Sequence, residues 1–275
     1  MQMYARILLS SSLMLFAACG PADPAVPGAL VAPPSQAHLL DENALNQNAL
    51  NQNALSLNAL NQNALTLQSL SGASLSAIQA PNDTGQLARQ LLQYTVSCAF
   101  TPAQTFSFSW IDASGVAHQE RYPGLLGLAS GWATRPLTAS EERWISACLI
   151  ARVNWYGVHV SISSRGPFNS LLISRTEADA YQVMEGVFYG DLFAPSPTAY
   201  ACYNSQNVSH SRELYRDCAA GHLTPEGATV DCGIIRRVGD CSNLCAGEKN
   251  SKGYFTSCTL PGGALVTEVI TTYLQ

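Results

Sequence analysis

The sequence predicts an α+β class: a disulfide-stabilised globular domain over residues 83–275, preceded by a signal peptide at 1–18 and a low-complexity repeat spacer. Three observations predict it. Helical and strand periodicities interleave after residue 83, without a βαβ repeat or a phosphate-loop glycine pattern. Eight of the nine cysteines lie between residues 98 and 258, a number that pairs off. Residues 43–82 carry no charge and repeat with a beat of five. Composition narrows the partners. Charged residues are 12% of the chain and the net charge is -5, which argues against a nucleic-acid footprint and against electrostatic docking on anionic lipid. Hydrophobic residues reach 47%, enough for a sizeable core. No apolar run after residue 20 approaches the ~20 residues of a spanning helix.

The first element is the N-terminus. Arg6 supplies a positive charge, Ile7–Phe16 an apolar stretch broken by three serines, and Ala17–Ala18 small residues before Cys19. This is the order of a secretory signal. Small residues abutting a cysteine resemble the lipobox of bacterial lipoproteins. The resemblance implies a diacylglycerol on the Cys19 thiol, cleavage just before it, and acylation of the new amine. Phe16 stands where that family usually has Leu. Gly20, in place of the Asp that favours inner-membrane retention, implies an outer-membrane destination. Two or more acyl chains, at about 0.8 kcal/mol per buried CH₂, anchor a protein stably where one does not.

Residues 19–42 follow as a Pro/Ala-rich linker, then 43–80 as the repeat. Leucine falls at 40, 45, 50, 55, 60, 65, 70 and 75, and Asn-Ala precedes it five times. On a helix a step of five turns successive leucines by about 140°, so no stripe forms. On a strand an odd step alternates faces. The run reads as a largely disordered spacer, with a short leucine-lined solenoid and a fluctuating helix as alternatives. About 60 residues of flexible chain would span roughly 40–45 Å.

In the domain, Thr84 is the expected N-cap of a helix carrying Leu87, Leu91, Thr95 and Cys98 on one face. "FSFSW" (106–110), a turn at "DASG" and the return "VAHQE" predict a hairpin. "TASEERWISACLIARVNWYG" predicts a central buried helix, with a Thr138–Glu141 capping box and Gly157 as its stop. Arg152 within it reads as either a ligand clamp or a structurally paired arginine. "VHVSIS" (158–163) alternates as a strand with Val158, Val160 and Ile162 inward. "TEADAYQVMEGVFYG" predicts a second capped helix, from Thr176 and Asp179 to a stop at Gly190. "ALVTEVITTYL" predicts a C-terminal strand.

The disulfide candidates are Cys98, Cys148, Cys202, Cys218, Cys232, Cys241, Cys245 and Cys258. The two helical ones predict a Cys98–Cys148 bridge. The other six allow 15 pairings. Cys241 with Cys245, and Cys218 with His222, have zinc-like spacing, but no second close pair completes a clean four-ligand set. No metal or cofactor is expected.

No catalytic motif stands out. "GLASG" (127–131) is not a nucleophile elbow. His118 and Glu120 share a strand face and His159 lies on another strand. Together they form the one acid–base or metal cluster the pattern allows, against isolated surface residues. His210 and His222 have no partner spacing. "RYPGLLGLASGW" (121–132) reads as a packed loop or a pocket wall. The Asn82 and Asn207 glycosylation triplets read as chance.

Cys19, the leucine pentads and "PLTASEERWISACLIARVNWYG" followed by "VHVSISSRG" together resemble a group of bacterial secreted lipoproteins. The resemblance implies where the protein resides and no particular reaction. The expectation is a lipid-anchored envelope protein that binds an envelope protein or polymer. An extracytoplasmic hydrolase or metal-dependent enzyme using His118, Glu120 and His159 is the alternative.

Overall fold

The pentad leucines, which suit neither regular element, are resolved by a chain that turns at nearly every repeat. The computed structural model describes residues 39–40, 44–51, 55–246 and 249–275. Cys19 and the signal lie outside the described residues. Strand β1 (Leu39–Leu40) is followed by β2 (Leu45–Asn46), helix α1 (Gln47–Asn51), two short 3₁₀ turns at Leu57–Ala59 and Leu67–Ser69, and helix α2 (Gly72–Gln79). Leu45, Leu50, Leu55, Leu60 and Leu65 all point into the main core beside Leu57. The described part of this run is therefore packed structure and not a free spacer. Its asparagines and backbone tie it to the domain. Asn58 Nδ2 donates to Phe193 O, Asn61 Nδ2 to Glu142 Oε1, and Trp132 Nε1 to Asn63 O (2.6, 2.6 and 3.1 Å). The Leu65 N–H donates to Trp132 O (2.7 Å). Trp132, from the glycine-rich loop, is fully buried with Leu126 and Leu128, so that loop is packed.

Helix α3 (Asp83–Ala99) starts two residues earlier than a Thr84 cap predicts. Asn82 is the cap, its Oδ1 accepting from the Gly85 N–H. Strands β3 (Thr105–Ile111) and β4 (Ala117–Pro123) form the expected antiparallel hairpin, with Phe106 and Phe108 inward. Helix α4 (Ala139–Arg152) has the expected capping box between Thr138 and Glu141, and every residue from Trp144 to Arg152 is buried. It stops at Arg152, five residues before Gly157. Val153 turns extended and, with Asn154, forms β5 (Val153–Asn154), paired in parallel with Leu45–Asn46 of β2. A tertiary partner, the repeat itself, outcompetes helix continuation. Gly157 instead occupies a left-handed turn position (φ +65°) just after β5.

The strand expected at 158–163 is shifted: Val158 and His159 are exposed in a loop, and β6 runs Ile162–Arg165. The second predicted helix is mostly strand. Ser174 caps the short α5 (Arg175–Ala180), and β7 (Val183–Asp191) begins where the helix was expected to continue. Gly190 lies inside β7, so close to the Thr198 carbonyl that a Cβ would overlap it. Strand β8 (Thr198–Tyr203), helix α6 (Val208–Glu213), the β9 (His222–Leu223) and β10 (Thr229–Val230) pair, and β11 (Ile235–Asp240) follow. The chain closes with α7 (Cys241–Leu244), β12 (Cys258–Thr259), β13 (Leu265–Val266) and β14 (Ile270–Leu274).

The main sheet has the order β1-β6-β14-β7-β8-β11, antiparallel except for β11 against β8. Helix α4 packs across β7. Phe188, Ala199, Ala201 and Ile270 face the main core, while Val187, Tyr189, Tyr200 and Cys202 face a second core on the opposite side. A strand buried on both faces has no polar alternation, so "VMEGVFYG" carries no strand signature. The two layers are pinned by a fully buried ion pair. Arg216 donates to both Glu185 oxygens (3.0 and 3.0 Å) and to the carbonyls of Val153 and Ala151 (2.9 and 2.8 Å), and the Thr272 hydroxyl donates to Glu185 (2.9 Å). With its polar atoms so satisfied, removing one partner would cost about 3–5 kcal/mol.

Four disulfides staple the fold: Cys98–Cys148, as expected, and Cys202–Cys241, Cys218–Cys232 and Cys245–Cys258. Arg152 lies against the first, its Nη1 3.0 Å from Cys98 Sγ and 3.4 Å from Ser97 Oγ. It is 1% exposed, which is the structural role and not a ligand clamp.

Candidate functional site

Two of the predicted acid–base residues, His118 and Glu120, are engaged in holding the hairpin together. Trp110 and His118 sit opposite each other on β3 and β4 and stack, with centroids 4.5 Å apart. His118 Nε2 donates to Asp112 Oδ2 (2.8 Å), and Trp110 Nε1 donates to Glu120 Oε1 (2.9 Å). The Arg89 guanidinium covers the Trp110 ring at 3.6 Å. Hydrogen bonds from His118, then Ser114 and Val116, hold the Asp112 carboxyl well below the ordinary carboxylate range. His159 is exposed on the loop after Gly157. Among the described residues no hydrogen bond or ring contact joins it to His118 or Glu120, so the three do not form one site. His210 bonds the Gln275 carbonyl (2.7 Å). Cys202, Cys241 and Cys245 bring three sulfurs within 4.8 Å of one another. All three are in disulfides, and a disulfide sulfur is not the thiolate that a metal needs.

A different cluster assembles where β5, the end of α6 and β9 meet. Because α4 ends early, Trp155 and Tyr156 leave the helix and reach the surface. The next contribution is Tyr215-Arg216-Asp217. Arg216 is fixed by Glu185 from below, and the Cys218–Cys232 disulfide follows Asp217 directly. Tyr215, immediately before them, adopts a left-handed backbone (φ 59°), a costly conformation for a bulky residue that persists only where the surroundings impose it. Asn154 Nδ2 donates to its carbonyl (3.0 Å). Gly221, at φ +86°, then turns the chain into β9 and delivers His222.

Asp217 is the pivot. Its Oδ2 accepts from the Tyr156 hydroxyl (2.8 Å) and from His222 Nδ1 (2.7 Å). The carboxyl is buried, and Oδ1 has no hydrogen-bond partner among the described residues. A carboxylate accepting at Nδ1 places the proton of a neutral imidazole there and leaves the lone pair on Nε2. His222 stacks on Trp155 (4.1 Å, 9°) and meets Tyr156 edge-on (5.6 Å, 71°). Tyr156 in turn packs edge-on against Tyr215 (5.3 Å, 81°). The two tyrosines are 43% and 56% exposed. Burial, then the bond to Asp217, pushes the Tyr156 phenol up to about 12, with nearby Arg212 opposing.

The result is a rigid aromatic surface with a phenol, an imidazole and a buried carboxylate fixed at its edge. It can hold a ligand's apolar face and hydrogen-bond its rim, and the Asp217–His222 pair can accept a proton. The sequence offers one clue to it, two large aromatics ahead of a turn glycine in "NWYG", and that clue is hidden while the segment reads as helix. No family model, curated protein or solved structure matches the chain.

Proposed function

We propose that the chain is a lipid-anchored protein of the bacterial cell envelope, acylated at Cys19, whose domain binds an envelope glycan at the Tyr156–Tyr215–His222 surface. One observation carries the binding reading: two adjacent tyrosines stand in solvent on a backbone and a hydroxyl that are both locked from beneath. Rings held rigid lose little entropy on contact, and tyrosine joins apolar area to a polar edge. A sugar unit has the matching chemistry, with a C–H face to lie on a ring and hydroxyls to meet His222 Nε2. The low overall charge and the N-terminal pattern support an anchored, non-nucleic-acid role.

Co-sedimentation of the full chain with isolated peptidoglycan sacculi tests this. The wild type pellets with the sacculi. The Tyr156→Ala/Tyr215→Ala double variant loses at least tenfold in retention, whereas Tyr156→Phe, which keeps the ring but gives up its bond to Asp217, shows an intermediate loss. Equal pelleting of the double variant sinks the reading. In cells, Cys19→Ala moves the protein from the membrane fraction to the soluble one. A second reading, hydrolysis at the same surface, is favoured by the Asp217–His222 pair acting as general base. It requires that sacculi release soluble fragments with the wild type and not with His222→Asn.

A further inference from the structure

A cavity of about 550 Å³, which shares no lining residue with the tyrosine surface, lies between the end of β6, the segment leading into α5 and the 251–254 loop. Three cations line it, Arg165, Arg175 and Lys252, with Leu172, Ile173 and Tyr254 among its walls, and no acidic residue is in the lining. In a chain with only 14 lysines and arginines and a net charge of -5, that concentration stands out. Arg165 is not a loose surface cation. It is 5% exposed, and its Nε donates to Ser163 Oγ (3.1 Å) and Nη2 to the Tyr181 carbonyl (2.6 Å). Its guanidinium lies on the Tyr273 ring at 3.5 Å. Gly253 approaches this corner on a left-handed backbone (φ +81°), where a Cβ would sit 3.0 Å from Nη1. The nearest counter-charge is Glu177, which is buried beside Arg165. Arg175 and Lys252, both exposed, have no such partner in the lining.

A fixed guanidinium flanked by exposed cations recognises a carboxylate or phosphate, and the leucine, isoleucine and tyrosine walls recognise an apolar body. We propose that this cavity is a binding site for an amphiphilic anion: an acidic head held by Arg165, Arg175 and Lys252, with an aliphatic or aromatic tail along Leu172, Ile173 and Tyr254. The source is a soluble organic acid or the headgroup of an anionic lipid, which share this chemistry.

Calorimetric titration of the disulfide-intact full chain tests it, with dodecanoate, dodecyl phosphate, dodecanol and inorganic phosphate as probes. The two amphiphilic anions bind at least tenfold tighter than either the uncharged alcohol or the phosphate ion alone. Arg175→Glu/Lys252→Glu, at two exposed positions that leave the core untouched, weakens both at least tenfold. Tyr156→Ala/Tyr215→Ala leaves both unchanged, which separates this site from the glycan surface. Capture of the Cys19→Ala chain, which lacks the acyl anchor, by phosphatidylglycerol vesicles, lost when the charge reversals are added, assigns the lipid source, and binding of the soluble anions alone assigns the other. Dodecanol binding as tightly as dodecanoate, or dodecanoate binding unaffected by the charge reversals, overturns the proposal.

Discussion

Asp217 shows how one buried carboxylate can organise residues that are distant in sequence. It collects Tyr156 from one side and His222 from the other, and it hangs beside Arg216, whose partner Glu185 belongs to the central strand. The consequence for titration follows from its charge. The ordinary tyrosine value is 10.0, and Tyr156 is pushed up to about 12, by burial first and by Asp217 second. Both causes disfavour the phenolate in the folded state. The stabilisation held by the neutral phenol is therefore complete below pH 10, the unfolded value, and is lost as pH rises through about 12. Tyr156 followed by ring-carbon NMR should titrate near 12, above the ordinary tyrosine value. Asp217→Asn should lower its midpoint without returning it to the ordinary value, because burial's larger share remains. A midpoint unmoved by Asp217→Asn would remove the carboxylate from the account. None of this cluster was legible from spacing. Asp217 and His222 come together across a disulfide and a glycine turn, and Tyr156 joins them only because α4 stops at Arg152.

At the level of elements, local signals with a complete local mechanism read correctly. The Thr138–Glu141 capping box satisfies its own backbone donors, and the 105–123 hairpin closes around an Asp112 turn; neither needs help from afar. Elements defined by distant partners did not read. Strand β7 is apolar on both faces because sheet neighbours and two cores enclose it. The pentad run looked like a spacer because no single regular element can align a step of five. The chain solves this with short turns, so that every described pentad leucine from 45 to 65 goes inward. The two readings predict different energetics. For a spacer, leucine truncation is neutral. For packed structure, Leu60→Ala and Leu65→Ala should each cost about 2–5 kcal/mol through lost burial and a residual cavity. Leu67→Ala, in the same run but 36% exposed, should stay within about 0.5 kcal/mol. Urea midpoints of the three variants decide the matter, and equal midpoints would return the run to a passive tether.

The whole molecule is held at two ranges. Cys98–Cys148 joins α3 to α4 over a separation of 50 residues, and Cys202–Cys241 ties β8 to α7 over 39. Cys218–Cys232 and Cys245–Cys258 close only 14 and 13 residues. If these bridges act mainly by restricting the unfolded chain, the long loops contribute about 4 kcal/mol each and the short ones about 3. The short pair also has a local task, since Cys218–Cys232 fixes the segment that presents Asp217. The two functions separate experimentally. Cys98→Ala/Cys148→Ala should lower the unfolding free energy by about 1 kcal/mol more than Cys245→Ala/Cys258→Ala, while leaving retention on sacculi unchanged at temperatures where the domain stays folded. Cys218→Ala/Cys232→Ala should do the reverse, with a smaller stability loss and a marked drop in retention, because the Tyr156–Asp217–His222 contacts lose their frame. Denaturant titration and co-sedimentation of the three double variants check both halves. If stability and retention fall in parallel across all three, the bridges act only as generic staples, and the rigidity attributed to the tyrosine surface is not specifically maintained by its neighbouring disulfide.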